Sequence, residues 1–219
     1  MKSIFAILLI FMGLTFAAAQ NEQAPILEKE LVYNDWTNKN VKSGDENNLR
    51  RFTDSKKLVK VVYYAHWCPN WKHDAPFVQR LYDKYKGNGF DVIAVGEYDP
   101  VDAMKKNLDA FKITFPSGYE SELRTDKQKT LHYGYRKATG DTRNWGSPWY
   151  IFLEPANLEK QGDVLIKKAN VVNGELIEAE GEKFVRAKLG LPAAAIALSG
   201  QKPIETCEPV ANTTALVKP

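Results

Sequence analysis

The stretch Tyr63-Tyr64-Ala65-His66-Trp67-Cys68-Pro69-Asn70-Trp71-Lys72 decides the reading of this chain. Upstream of it, Leu58 to Ala65 is apolar except for Lys60, the pattern of a strand covered on both faces. Downstream, Phe77, Val78, Leu81, Tyr82 and Tyr85 recur at helical spacing, with Pro76 inside the pattern as an expected kink. Cys68 stands at the joint. Pro69 follows it at the expected first helical position, where a missing amide costs least. A helix N-terminus favours an anion through its free amides and partial positive charge, and the thiolate is the form that attacks a disulfide. Lys72 and His73, about one turn on, are the expected thiolate-modulating residues, and His66 is close in sequence.

Working outward, Asp91 to Tyr98 predicts a second apolar strand. Val101, Met104, Leu108 and Phe111 predict an amphipathic helix, which Ile113-Thr114-Phe115-Pro116 leaves. Ser117 to Trp145 is polar, basic and rich in Tyr, with a helical turn expected around Lys127 to Tyr135. Trp149 to Leu153 predicts a strong strand. Val164 to Ile166 and Val171-Val172 resume strand character, and Asn173-Gly174 before Leu176 carries a hairpin signal. Glu182 to Leu189 closes with a helix. Near the start, Leu31-Val32-Tyr33 and Leu49-Arg50-Arg51-Phe52 read as a short strand pair. Alternating strands and helices imply an α/β fold, a sheet with helices on both faces.

With these pieces in order, residues from about 31 to 189 resemble the thioredoxin fold. Within it they are similar to the exported TlpA/ResA-like thiol-disulfide oxidoreductases, an AhpC/TSA-related family. The resemblance rests on Val61 through Pro69, the helix with Pro76, Tyr82-Asp83-Lys84-Tyr85 before Gly89 to Val95, Ile113 to Pro116, and Gly146-Ser147-Pro148 before a strand. It implies a three-layer sandwich with a mixed central sheet, an N-terminal strand extension and a flexible C-terminal tail. It also implies a cis-proline at Pro148 facing Cys68, the catalytic residue. Two features depart from the family pattern. Trp71 stands where the second cysteine of the Cys-x-x-Cys pair belongs, and the segment before Gly146 is long and basic.

A single local thiol cannot release its own mixed disulfide. Three outcomes stay open. A small thiol or partner protein resolves it, Cys207 returns as the resolving thiol, or the covalent complex persists. Cys68 is either a reactive nucleophile or an inert remnant packed under Trp71. Trp67, Pro69, Trp71, Ser147, Pro148 and Trp149 are the expected substrate-binding residues. Large aromatics flank the cysteine, and the backbone before Pro148 suits strand-like pairing with an extended peptide. The expected partners are extended peptide or protein thiols and low-molecular-weight thiols. A non-catalytic peptide-binding or chaperone-like module is the alternative.

Other classes fit less well. A net charge of +3 with interspersed signs gives no nucleic-acid footprint. The peroxidatic signature of related families wants Pro and Thr or Ser where Val61 and Ala65 stand. Copper chaperones on this fold use two cysteines with a histidine, so no metal and no cofactor is expected. Lys2, the apolar run Ile4 to Phe16 and Ala17-Ala18-Ala19 read as a signal peptide over residues 1–19, giving a periplasmic or secreted protein. An uncleaved anchor is the alternative, and the only route to a membrane. The expected domain covers 27–191 and the tail 192–219, with a chance-level glycosylation sequon at Asn212-Thr213-Thr214.

Overall fold

The computed structural model describes residues 22–193. The expected signal segment 1–19, and tail residues 194–219 with Cys207, lie outside them. The centre is β5 (Leu58–Tyr64), in which every residue is buried. It pairs in parallel with β6 (Phe90–Gly96) and antiparallel with β8 (Trp149–Leu153). Adding β2 (Leu27–Asn34), β3 (Thr37–Asn40), β4 (Glu46–Asn48), β7 (Ser117–Tyr119) and β9 (Val164–Val172) gives an eight-stranded mixed sheet. Its order is β2-β9-β8-β5-β6-β7-β3-β4.

Strand alternation sends the side chains of β5 to two cores. Leu58, Val62 and Tyr64 join Val92, Ala94 and Phe152 against α2 (Pro69–Tyr85), α3 (Val101–Ala110) and α5 (Glu178–Lys188). Val59, Val61 and Tyr63 join Ile93, Val95, Trp149 and Ile151 against α1 (Leu49–Thr53) and α4 (Leu131–Ala138). Each fully buried Val, Leu or Ile contributes roughly 1.5–3 kcal/mol. This is a thioredoxin-like three-layer α/β sandwich with a mixed sheet.

Several local expectations are corrected. Leu49 to Phe52 is helix α1 rather than a strand, because Asn48 caps it by accepting the Arg51 amide at 3.0 Å. The separate strands expected at 164–166 and 171–172 are one strand, β9, held from both sides by β2 and β8. Asn173-Gly174 makes no hairpin onto β9. It leads into β10 (Glu175–Leu176), which pairs in parallel with β1 (Gln23–Ala24). Gly174 is required there, because a Cβ would collide with the Glu22 carbonyl. The polar stretch 117–145 is largely ordered. It contains β7, a 3₁₀ turn (Arg124–Lys129) and α4, whose first amides, Leu131 and His132, donate to the Glu120 carboxylate.

Candidate functional site

Cys68 is the N-cap of α2, with Pro69 at the first helical position and the Lys72 amide donating to the Cys68 carbonyl at 3.1 Å. Its Sγ–H donates to the Ser147 carbonyl at 3.0 Å, and only 7% of the residue is exposed. Ser147 is tied a second time, since its Oγ accepts the Ala65 amide at 2.8 Å. The Ser147–Pro148 peptide bond is cis. Cys68, Pro69, Ser147 and Pro148 are therefore brought together, as the sequence expects.

The tryptophans divide into two kinds. Trp71, the residue in the resolving position, is fully buried, tilted against Tyr64 at 4.8 Å. Its Nε1–H donates to Asn107 Oδ1 at 3.0 Å, and Asn107 Nδ2 in turn donates to the His66 carbonyl at 3.3 Å. The substitution replaces a thiol with a core side chain that ties α3 to the turn before Cys68. Trp149 is also fully buried, donating to Asn173 Oδ1 at 2.8 Å. Neither offers surface to a peptide, which corrects the expectation that these two shape the contact. Partly exposed Trp67 does, edge-to-face with Trp145 at 5.2 Å. Arg124 lies over Trp67 at 4.7 Å and Lys127 over Trp145 at 4.5 Å.

The expected thiolate modulators point elsewhere. His73 Nδ1 lies 2.6 Å from Glu175 Oε2. Lys72 is exposed and makes no side-chain bond among the described residues. His66 is 3.4 Å from Asp99, and partial burial lowers its pKa.

Residues the sequence reading did not single out hold the Pro148 loop. Arg143 donates to the Pro148 carbonyl at 2.8 Å and reaches the Ser147 carbonyl at 3.5 Å. Asp141 grips the same guanidinium at 3.0 and 2.8 Å. Arg136, wholly buried, donates to the carbonyls of Arg143 and Asn144, both at 2.7 Å. Gly146, at φ +60°, has no room for a Cβ against Arg136. His132 Nε2 faces the Gly146 carbonyl at 3.2 Å, an acceptor only, so the hydrogen is assigned to Nε2. Nδ1 then accepts from the Tyr98 hydroxyl at 2.8 Å. Burial first, and Arg136 second, hold this ring well below the ordinary histidine range, so it is neutral. Glu97, buried beneath Tyr98 and bonded by Ser121 Oγ at 2.9 Å, is pushed well above the carboxylate range by burial and then by Glu120. The Pro148 loop is thus set by a buried polar framework rather than by apolar packing alone.

No family model matches the chain. Over 60 residues it is 32% identical to thiol-disulfide oxidoreductase ResA of Oceanobacillus iheyensis, covering 27% of this chain and 31% of the relative. Over 166 residues it is 24% identical to protein disulfide-isomerase of Saccharomyces cerevisiae, covering 74% of this chain and 29% of that one. The matches span about a third of the length of these curated relatives. Among solved structures, a thiol:disulfide interchange protein from Bacteroides sp. superposes with a TM-score of 0.52 at 18% identity, covering 80% of this chain and 95% of that one. A thioredoxin-family interchange protein from Chlorobium tepidum gives 0.51 at 16%, covering 74% and 98%. Such identities carry the fold. With the strand, Cys68-Pro69, helix and cis-Pro148 assembled in one place, the chain has the thioredoxin fold and is similar, over a short stretch, to ResA thiol-disulfide oxidoreductases.

Proposed function

We propose that this is an exported thiol-disulfide exchange protein that works with one local cysteine, Cys68, on protein or low-molecular-weight thiols, without a cofactor. The observation that carries the proposal is the placement of Sγ at the N-terminus of α2, 3.0 Å from the carbonyl that precedes Pro148. The Cys68 thiolate attacks one sulfur of a substrate disulfide. A new Sγ–S bond forms as the substrate S–S bond breaks, and the departing sulfur leaves as a thiolate that takes up the proton Cys68 released. With Trp71 in the core, release requires a second thiol, from a small molecule, a partner protein or Cys207. Trp67 and Trp145 supply the apolar contact beside the sulfur, in place of Trp71 and Trp149. The signal-like residues 1–19 are the basis for export to a periplasmic or extracellular space.

A second reading has its own support. The low exposure of Cys68 and its bond to Ser147 suit a peptide-binding module whose thiol is structural. Exchange of a peptide disulfide, with a small thiol as reductant, separates the two. Exchange predicts turnover that Cys68→Ser abolishes and Cys207→Ser preserves. A binding module predicts no turnover, with peptide affinity unchanged in Cys68→Ser and reduced several-fold in Trp67→Ala, in the manner of an aromatic anchor.

A further inference from the structure

Beside the sulfur sits a cluster whose charges do not balance without one outside group. Arg136 and Arg143 share a single carboxylate, Asp141, at 3.4 and 2.8 Å. The side chains of Arg136, Arg143 and Asp141 are 0%, 15% and 1% exposed, so one positive charge is in excess in a largely desolvated place. The balancing charge is Glu22, whose Oε2 is 3.2 Å from Arg143 Nη1 and accepts from Asn70 Nδ2 at 2.8 Å. Asn70 lies in the first turn of α2, two residues after Cys68, and the same Nη1 reaches the Ser147 carbonyl to which Sγ is bonded.

Glu22 is weakly held. Its side chain is 44% exposed, so water competes for the carboxylate and weakens its hold on Arg143. Among the described residues its backbone is fixed by the two-residue pairing of the adjoining β1 with β10 and by the Glu175 amide, which donates to the Glu22 carbonyl at 2.9 Å. Arg143 is the opposite, anchored by Asp141 and by the Pro148 carbonyl. The cationic half of the pair is preformed and the anionic half is exchangeable.

We propose that Arg143 and Asn70 form a carboxylate subsite beside Cys68, occupied by Glu22 as an internal stand-in for a carboxylate carried by the substrate. The preferred substrate is then a disulfide with an acidic group next to its reacting sulfur, and Glu22 competes with it. This inference rests on the exchange reading for its substrate, but the subsite itself does not need exchange chemistry.

The test therefore begins with alkylation. Second-order rates of Cys68 with iodoacetate and iodoacetamide, probes that differ in a carboxylate, are compared in Cys207→Ser and in Cys207→Ser with Glu22→Gln. Vacating the subsite should raise the iodoacetate-to-iodoacetamide ratio about fivefold, the scale of one exposed charge pair. Adding Asn70→Ala or Arg143→Gln should return it. Glu22 is exposed and Asn70 half-buried, so their substitutions should leave the fold intact and the comparison survives if Arg143→Gln fails to fold. A ratio unchanged by Glu22→Gln overturns the subsite. Exchange rates with peptide disulfides bearing Glu or Gln beside the cysteine, and with glutathione disulfide, then identify the source of the carboxylate. A shifted alkylation ratio with no exchange on any of them retains the subsite and rejects the exchange reading.

Discussion

Trp71→Ala is expected to cost about 3–5 kcal/mol of folding stability, the range for emptying a fully buried large aromatic site. The loss has two parts. The indole leaves a cavity against Tyr64, and Asn107 Oδ1 loses its buried donor. Because Asn107 also holds the His66 carbonyl, the turn that presents Cys68 should loosen together with the fold. Urea unfolding of both proteins checks this. Trp67→Ala is the control, expected to lose far less, because its ring is partly exposed. A Trp71→Ala loss below about 1 kcal/mol, the ordinary effect of a point mutation, would mean that the indole is not a core element.

Lys60→Met should act in the opposite direction. Lys60 is fully buried in the central strand, with Nζ 3.7 Å from the centre of the Tyr150 ring and no hydrogen-bond acceptor among the described residues. Burial pulls its pKa down from 10.5 to about 8, and nearby Asp74 only partly opposes this. At pH 7 the amine is charged in both the folded and the unfolded chain, so the cost of burying that charge is borne in full. As pH rises from about 8 towards 10.5 the folded protein loses the proton first, and wild-type stability rises. Methionine fills similar volume without the amine. The expected gain is about 3 kcal/mol at pH 7, shrinking towards zero near pH 10.5. Asp74 keeps its bonds to the Tyr150 hydroxyl and the Leu176 amide in the variant. Thermal or urea unfolding across this pH range is the measurement. A destabilised variant, or a gain that does not change with pH, would show that Lys60 is accommodated in some other way.

These two positions also show what the chain discloses before its structure is known. The central strands and α2 are legible because burial on both faces leaves continuous apolar runs, and because Cys68-Pro69 marks a helix start. The burial of Trp71 is written in the same helix. Trp71, Ala75 and Val78 stand four and three apart on its inner stripe, continuing to Leu81 and Tyr85. Proximity to Cys68 suggests a surface role that this spacing argues against. Lys60 interrupts an otherwise apolar strand and so announces a buried charge, but not its partner. The partnership of β10 with β1 is invisible locally, because it joins residues 23–24 to 175–176 and overrides the Asn-Gly turn signal. The Arg136–Asp141–Arg143 cluster is hidden for a related reason. In a stretch dense with Lys and Arg, nothing local separates buried charges from solvated ones.

The exchange account is tested most directly by intact-mass analysis of folded Cys207→Ser protein mixed with a peptide disulfide. The account predicts a one-to-one peptide adduct on Cys68 that persists until a small thiol is added, because Trp71 leaves no local thiol to release it. A folded protein that forms no adduct, while the urea-unfolded chain is modified fully, would contradict it.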